Sequence, residues 1–400
     1  MGKKLMLLGG IRYLLPVIKT AHEQGYYVIT ADYLPDNIAH KFSDEYVNVS
    51  IVDKEAVLKA AQEKHIDGIM SFGVDPGVVS AAYVAEKMGL PFQCSYEAAC
   101  ILQDKSRFRR FLFEHGFNCP KAKGFDNIEE ALNDIDRFTW PVIVKPVDSA
   151  GSKGVTEVFR KEDIKKAVDL AFAASISKRI IIEDYLIAEG QSSGIESFFV
   201  NGELCYNAFY DQLFELKSPN PFVPMVEQWP SAKDESILDD IRQQLQRLGK
   251  TLGFMTGLFN VEWRVSNGKV YLMEVSPRAG GNRLAEILNY ATDIDIIKAE
   301  MLKSVGVECG VVHEPKYNGN YAIYNLHSNR HGHFKKLSID SSFEKQYLIE
   351  KEIRVKVGDT VEPFAGANTS FGTLFLRTDT RQEMDTLLKN IDKYIKIVLE

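Results

Sequence analysis

The chain of 400 residues lacks the patterns that identify secreted, membrane-spanning and zinc-binding proteins. Its five cysteines are widely scattered and form no CxxC pair, which excludes a disulfide framework and a zinc knuckle. No run of about 18 apolar residues occurs, and the apolar run that follows Lys4 is too short for a signal peptide. We therefore expect a cytoplasmic protein that neither spans nor binds a membrane.

Basic residues are also in short supply. The formal net charge is -7, whereas proteins that bind nucleic acids or membrane surfaces usually carry basic faces. The sequence therefore predicts a small-molecule partner and no nucleic acid. With 45% hydrophobic residues, a chain of this length can bury several cores, so we expect roughly two to four domains.

Two familiar nucleotide-binding motifs are incomplete. Gly9 and Gly10 follow the first apolar run but lack the rest of a GxGxxG motif, and the later stretch DSAGSKGV is not a GxxxxGK[ST] loop. Residues 1–92 instead alternate short apolar strands with helical patterns, which predicts a parallel sheet with helices on both faces. Here Asp75 is predicted to cap the N-terminus of a helix that ends at Gly89.

The pattern changes near residue 93, where helical stretches come first and hairpin patterns follow. Asp104 is predicted to cap a helix that ends at Gly116, and Asn201 with Gly202 is predicted to form a hairpin turn. Short strands dominate from about residue 313. The sequence therefore predicts an α/β domain followed by α+β units, at 1–92, 93–312 (with subdomains 113–186 and 187–312) and a β-rich 313–400.

Two strands in the middle third end in charged residues. Lys145 ends the apolar strand of WPVIVKPVDSAGSKGV, where it either reaches out of the sheet edge or neutralises a buried anion. The next loop offers backbone amides and Lys153 to a phosphate, although an ordinary surface turn has the same composition. Glu183 ends the strand of IIIEDYLIAEG. It is either a solvated strand end or an acceptor for a purine amine, with residues 184–186 supplying backbone hydrogen bonds.

A hairpin pattern in FNVEWRVSNGKVYLMEVSPRAGGN raises a question of register. A two-residue loop at Asn267 and Gly268 would place Val261 opposite Glu274 and mix apolar with charged residues on both faces. A three-residue loop at 267–269 separates them, so we predict that loop or a bulge at the same residues. The predicted pairs are Val261 with Val275, Trp263 with Met273, Val265 with Tyr271, Glu262 with Glu274, Arg264 with Leu272 and Asn260 with Ser276.

Directly opposed carboxylates repel each other unless a cation lies between them. Magnesium fits Glu262 and Glu274, because it is commonly held by one or two carboxylates together with nucleotide phosphates. Arg278 follows on the same face and can hold a phosphate. The alternative is a charged hairpin face in solvent.

The order of these features resembles the ATP-grasp superfamily. Lys105, Lys145, the glycine loop, EDYL, Glu262 and then MEVSPRAGG are most similar to its carbamoyl-phosphate-synthase-like and carboxylate–amine ligase branches, over roughly residues 1–300. The resemblance implies an N-terminal parallel-sheet pre-ATP-grasp domain, an ATP-grasp fold and a small C-terminal β-rich subdomain. It also implies ATP and Mg²⁺ (or Mn²⁺) as cofactors.

The resemblance assigns roles residue by residue. It implies Arg278 and Lys145 as catalytic residues and Glu262, Glu274 and Ser276 as metal ligands. The implied nucleotide-binding residues are Lys105, Lys145, Ser152, Lys153, Gly154, Glu183, Asp184, Tyr185, Leu186 and Gln191. Two positions depart from the family pattern: Ser276 stands where asparagine is usual, and both Glu189 and Gln191 lie near the expected ribose-binding acid.

The implied reaction activates a carboxylate as an acyl-phosphate and joins it to an amine, with release of ADP and phosphate. Alternatives are a carbamoyl-phosphate or phosphoribosylglycinamide synthetase-like enzyme and a catalytically inactive ATP-binding module. The expected partners are a small carboxylate and a small amine, and a homodimer is compatible with the resemblance. Residues 149–154 and 215–230 are predicted to be lids.

The remaining polar candidates lie near and beyond the hairpin. Arg283 or Arg330 could reach a substrate carboxylate. His327, His331 and His333 have a spacing that could hold a metal, but no cysteine or carboxylate completes the set, so we favour an ordinary loop.

Overall fold

A computed structural model describes residues 2–148 and 153–400. The N-terminal part is a four-stranded parallel sheet in the order β3-β2-β1-β4, which confirms the predicted parallel domain. Three of its strands are mainly apolar because helices cover both faces, whereas the edge strand Glu45–Asn48 is half polar. The elements are β1 (Lys4–Leu8), α1 (Leu15–Glu23), β2 (Tyr27–Asp32), β3 (Glu45–Asn48), α2 (Lys54–Lys64), β4 (Gly68–Met70) and α3 (Val78–Met88).

Two helices then lead into a second, antiparallel sheet in the order β5-β8-β6-β7. As predicted, the Asp104 side chain accepts hydrogen bonds from the first turn of α5, and Gly116 follows its end with a φ of 66°. The elements are α4 (Tyr96–Gln103), α5 (Lys105–Glu114), β5 (Ala122–Phe125), α6 (Ile128–Asn133), β6 (Val142–Pro146), β7 (Thr156–Val158), α7 (Ile164–Ala174) and β8 (Ile180–Asp184).

An antiparallel sheet of eight strands follows, in the order β13-β12-β9-β10-β11-β14-β18-β16. Asn201 and Gly202 turn β9 into β10 as predicted. The first part of this region comprises β9 (Ser193–Val200), β10 (Glu203–Phe214), β11 (Pro224–Trp229), α8 (Glu235–Leu252), β12 (Gly257–Ser266), β13 (Lys269–Ser276), α9 (Leu284–Ala291) and α10 (Ile296–Ser304).

The C-terminal part is rich in strands, but three of them extend the eight-stranded sheet across the predicted division at residue 312. A further small sheet has the order β17-β15-β19. The elements are β14 (Asn320–Leu326), β15 (Gly332–Ile339), α11 (Ser341–Tyr347), β16 (Leu348–Ile353), β17 (Thr360–Val361), β18 (Gly372–Thr378), α12 (Arg381–Lys389), α13 (Ile391–Tyr394) and β19 (Ile395–Leu399).

The predicted lid at 215–230 is shorter in the structure. Its second half is β11, which is hydrogen-bonded on both sides and carries the buried Trp229, so only the preceding loop at 215–223 has the form of a cover. The other predicted lid begins with residues 149–152, which lie outside the described residues. Among the described helices, none is long and apolar enough to cross a membrane.

Candidate functional site

A cleft of about 500 Å³ opens between the sheet that carries Lys145 and the hairpin that carries Glu262, as the sequence predicts. Its volume falls within the ordinary range of small-molecule sites. Its charged lining includes Asp75, Lys105, Lys145, Glu262, Glu274 and Arg278. The structure thus brings together most of the predicted charged residues.

The hairpin has the predicted carboxylate pair but a different loop. Glu262 lies opposite Glu274, whereas Ser266 pairs with Lys269, so the turn contains only Asn267 and Gly268. The predicted three-residue loop is therefore wrong, and the alternative bulge lies at Met273 rather than at 267–269. The extra residue sits within the strand as a β-bulge, since Glu262 pairs with Glu274 but the next pair joins Trp263 to Leu272.

Because of the bulge, three of the six predicted cross-strand pairs are wrong. Those on the cleft side of the bulge are confirmed, and those between the bulge and the turn shift by one residue. A bulge restores the segregation of faces that a regular ladder with a two-residue turn would lose. The observed pairs beyond the bulge are Trp263 with Leu272, Arg264 with Tyr271 and Val265 with Val270.

The two opposed carboxylates create a site short of positive charge. Lys105 Nζ lies 3.2 Å from Glu274 Oε2. Enclosure by the cleft walls, and then repulsion by Glu274, raises the pKa of Glu262 to about 7 although its side chain faces the open cleft. No group of three or more histidine, cysteine, aspartate or glutamate side chains converges among the described residues. The pair therefore fits a divalent ion whose remaining ligands are phosphate oxygens and water.

Ser276 is fully buried rather than open to the cleft. Its hydroxyl donates to Asp75 Oδ1 at 2.9 Å and accepts from Gln103 Nε2 at 2.7 Å. The only hydroxyl proton is therefore used within the protein. The assignment of Ser276 as a metal ligand stays a prediction.

Arg278 is held by a carboxylate from the N-terminal domain. Its Nε donates to Asp75 Oδ1 at 2.8 Å, and Nη2 lies 2.5 Å from Asp75 Oδ2. Burial by itself would raise the pKa of Asp75, but Arg278, together with Ser276 and Lys105, outweighs burial and lowers it. The helix-cap prediction for Asp75 is wrong, because it starts a short 3₁₀ helix without a side-chain cap and turns its carboxylate to Arg278.

The segment after Arg278 is fixed from the sheet side. Glu196 is fully buried and accepts hydrogen bonds from the Gly280 amide at 3.0 Å and from Asn260 Nδ2 at 2.5 Å. Burial raises the pKa of Glu196 to about 7. A β-carbon on Gly280 would lie 2.5 Å from Glu196 Oε1, so this contact requires glycine.

A second buried network supports the same segment from behind. Gln93 donates from Nε2 to the Pro277 carbonyl oxygen and accepts from Lys303 Nζ at 2.8 Å. Lys303 also lies 2.8 Å from Glu300 Oε1, and Glu300 Oε2 accepts from the Leu258 amide. Ser276 and Arg278 are therefore presented by a turn whose backbone is held on both sides.

Lys145 is the second-to-last residue of β6, close to the predicted strand end, and its partner is Glu183 on β8. Lys145 Nζ lies 2.7 Å from Glu183 Oε2, and Arg109 Nε lies 2.9 Å from Glu183 Oε1. Burial lowers the pKa of Lys145 to about 8 against the attraction of Glu183. Glu183 is 1% exposed and forms ion pairs with both Lys145 and Arg109. Its contact with adenine stays a prediction.

The hinge after β8 is partly occupied by its own fold. The Asp184 and Tyr185 amides donate to the Lys121 and Pro141 carbonyl oxygens, and the Asp184 carboxylate accepts from the Thr139 amide. A purine would have to use other backbone groups of this segment, among which Leu186 remains a predicted contact. The Tyr185 side chain lines the cleft.

Of the two candidates for binding the ribose, Glu189 has another partner within the protein. Both Glu189 carboxylate oxygens accept from the Gly268 amide, at 3.1 and 3.3 Å, so Glu189 supports the hairpin turn. Gln191 is exposed next to the cleft-lining Ser192. Its ribose contact stays a prediction.

The glycine loop is described only in part. Lys153 is exposed and Gly154 has a φ of 72°, a backbone conformation that favours glycine. Ser152 lies outside the described residues. The phosphate contacts assigned to these three residues stay predictions.

The other polar candidates are engaged elsewhere. Arg283 lies 2.8 Å from Glu286 Oε2, pairs with Glu350 and stacks on Phe375, so its guanidinium is occupied. The three histidines have separate partners, the Asn325 carbonyl, the Glu362 carboxylate and the Gly358 carbonyl. The structure gives no histidine cluster among the described residues.

Sequence reasoning missed Asp75, Arg109 and Glu196. Asp75 follows β4 at the carboxyl edge of a parallel sheet, which is where ligand sites of such sheets lie, so a signal was present. Arg109 lies between Phe108 and Leu112 on the buried stripe of α5, and a cation in an apolar stripe is a second usable signal. Glu196 lies in a strand whose sequence, SGIESFFV, mixes polar and apolar residues, so its burial has no comparable cue.

Comparison with known sequences supports the same superfamily. Residues 138–286 match the ATP-grasp domain, so the chain contains such a domain and the predicted resemblance is confirmed. The carbamoyl phosphate synthase large chain of Clostridium perfringens (strain SM101 / Type A) is 22% identical over 309 residues, which cover 75% of this chain and 28% of that protein. This chain thus spans little more than a quarter of that relative.

Comparison with solved structures establishes the fold. An L-amino acid ligase from Bacillus licheniformis aligns with a TM-score of 0.82 at 19% identity, over 100% of this chain and 99% of that one. A phosphoribosylglycinamide synthetase from Anaerococcus prevotii aligns with a TM-score of 0.79 at 20% identity, over 100% of both chains. The predicted fold, a parallel-sheet domain before an ATP-grasp fold, is confirmed.

Proposed function

We propose that the chain is an ATP-dependent ligase that joins a carboxylate to an amine. A carboxylate oxygen attacks the γ-phosphorus, the bond to the ADP oxygen breaks, and an acyl-phosphate forms. The amine nitrogen then attacks the acyl carbon, phosphate leaves, and the nitrogen loses a proton. The products are ADP, phosphate and the amide.

The observation that carries this proposal is the charge distribution of the cleft. Lys105, Lys145 and Arg278 line the same cavity as the facing carboxylates Glu262 and Glu274. The three cations suit the phosphate oxygens of a nucleotide, and the two facing carboxylates suit the divalent ion that accompanies them. The relatives named above are ligases and synthases, which supports the reaction class.

The chain's own residues would divide the work by position. Lys105 and Lys145 would hold phosphate oxygens, and Arg278 would face the phosphoryl group in transfer. Glu262 and Glu274 would hold Mg²⁺, or Mn²⁺, which when bound neutralises charge on the phosphates. Asp75 and Asn260 keep the Arg278 guanidinium oriented before any ligand arrives.

A screen for ADP release tests the proposal. Amino acids and small carboxylates would be supplied in pairs with small amines, and hydroxylamine would replace the amine to trap an acyl-phosphate as a hydroxamate. ADP and hydroxamate formation that depends on one carboxylate supports the ligase. Stoichiometric AMP with pyrophosphate would show that a different phosphorus is attacked.

A catalytically inactive ATP-binding module is the second candidate, because Ser276 stands in the metal-binding strand with its hydroxyl engaged by Asp75 and Gln103. Tight nucleotide binding without carboxylate-dependent ADP release would favour it. Replacing Ser276 by asparagine in that case would restore the usual ligand and is the decisive variant. The homodimer and the cytoplasmic location remain predictions.

Nucleotide affinity is expected to fall above pH 8. Lys145 has a pKa lowered to about 8, so its charge is present below that pH and lost above it. Because one proton is linked to binding of an anion, loss of the Lys145 charge should weaken the affinity for a nonhydrolysable ATP analogue by up to about tenfold per pH unit above 8, where Glu262, with a pKa of about 7, is already ionised. The measurement is the dissociation constant of the analogue, titrated over a range of roughly three pH units from about pH 6.5.

Lys145→Arg is the matched control for the pH profile. The guanidinium of Arg stays charged across the same range, so the affinity of this variant for the analogue should not decline above pH 8. An equal decline in wild type and Lys145→Arg would assign the effect to another group.

A further inference from the structure

The bulge in the β12–β13 hairpin, which carries Glu262 and Glu274 and is called the metal hairpin below, has a specific buried partner. In the ladder between β12 and β13, Glu262 pairs with Glu274 and Trp263 pairs with Leu272, which leaves Met273 without an opposite residue. Arg109 Nη2 donates to the Met273 carbonyl oxygen at 2.8 Å. The Arg109 guanidinium, which comes from α5, therefore binds the backbone carbonyl group at the bulge.

This contact matters because the turn has only two residues. If the ladder continued regularly from the turn, Glu262 would face Met273, and Glu274 would face Val261 from the opposite side of the sheet. Successive side chains alternate faces, so loss of the bulge would remove Glu274 from the cleft. The bulge is the feature that places both carboxylates together.

The same guanidinium reaches the other wall of the cleft. Arg109 Nε lies 2.9 Å from Glu183 Oε1, and Glu183 Oε2 lies 2.7 Å from Lys145 Nζ. The Arg109 and Glu183 side chains are 2% and 1% exposed, so water does not replace either contact. One side chain thus joins the metal strand to the strand-end lysine.

We propose that Arg109 is a positioning residue that fixes the bulged register of the metal hairpin and aligns it with Lys145. This role rests on the proposed function, because it concerns the same metal and nucleotide. Arg109 acts through the Met273 carbonyl and through Glu183, and it contacts neither ligand itself.

The test measures Mn²⁺ affinity in the presence of an ATP analogue by electron paramagnetic resonance, with melting temperature measured in parallel. Arg109→Met is expected to bind Mn²⁺ about tenfold or more weakly, as is usual when a residue that orients a ligand is lost. Arg109→Lys keeps a cation beside Glu183 but lacks the second donor for Met273. It is expected to keep its melting temperature and still lose Mn²⁺ affinity.

Arg107→Met is the matched control. Arg107 lies on the same helix, but it is partly exposed and pairs with the exposed Glu97. It should keep wild-type affinity for Mn²⁺. A crystal structure of Arg109→Lys reads the register directly, and an unshifted Glu262 to Glu274 pair at wild-type Mn²⁺ affinity would overturn the role of Arg109.

The outcomes separate this inference from the proposed function. Failure of the wild type to bind Mn²⁺ with nucleotide overturns both. Wild-type binding with equal affinity in both Arg109 variants overturns the positioning role and leaves the ligase intact. Should Arg109→Met fail to fold, Arg109→Lys decides alone.

Discussion

Replacing Arg278 by methionine is expected to lower turnover roughly 100- to 1,000-fold, comparable to the loss of one preorganised donor at a transition state. Arg278 is 7% exposed, and its guanidinium is fixed by Asp75, Asn260 and the Ala279 carbonyl. A donor fixed before the reaction needs no reorganisation as negative charge develops. The measurement is ADP release with the carboxylate identified in the screen.

The split between kinetic constants distinguishes this role from simple binding. A contact made mainly to the phosphoryl group in transfer lowers kcat more than it raises KM for ATP. A rise in KM alone would place Arg278 on the bound nucleotide without a role in transfer. Arg160→Met, at an exposed arginine paired with Asp163, is the control for loss of a surface charge.

Stability needs its own control, because Arg278→Met leaves the Asp75 carboxylate without its cation. Because the Asp75 side chain is 20% exposed and lines the cleft, the cost of its unpaired carboxylate is smaller than that of a fully buried charge, but the melting temperature should still fall. The double variant Arg278→Met with Asp75→Asn removes both charges and should recover part of the melting temperature without recovering turnover. Recovery of turnover in the double variant would contradict a direct role for Arg278.

The hairpin shows how far side-chain patterning carries. Segregation of apolar and charged faces required Glu262 opposite Glu274, and that pair is confirmed. The same requirement is met by an extra residue in the loop or by a bulge anywhere before the carboxylates, since both shift the ladder by one. Asn-Gly is a strong two-residue turn signal, and the structure satisfies both the turn and the segregation.

Long-range partners explain the rest of what the sequence leaves open. The parallel sheet, the helix capped by Asp104 and the strand ending in Lys145 follow from local patterns. Asp75 and Arg278 are far apart in the chain, and only the packing of the N-terminal domain on the cleft joins them. Glu183 is shared by Lys145 and by Arg109, which lies on another element, and no local pattern predicts that pairing.

The second large effect is expected at the metal carboxylates, where Glu274→Gln should lower turnover ~100-fold or more. Glutamine keeps the shape and removes the charge that Lys105 meets at 3.2 Å, so the phosphates and their ion lose half of the opposed carboxylate pair. Glu203→Gln, at an exposed glutamate near Lys250, is the surface control and should be neutral.

The nature of the product tests the same charge distribution. In the proposed reaction, Glu262 and Glu274 would hold the divalent ion of the nucleotide, and together with Arg278 in the same cleft this would place positive charge where a γ-phosphoryl group departs, so ADP is the expected product. An adenylating enzyme needs that charge at the α-phosphate instead. Full activity in Glu274→Gln would refute the metal site, whatever the product.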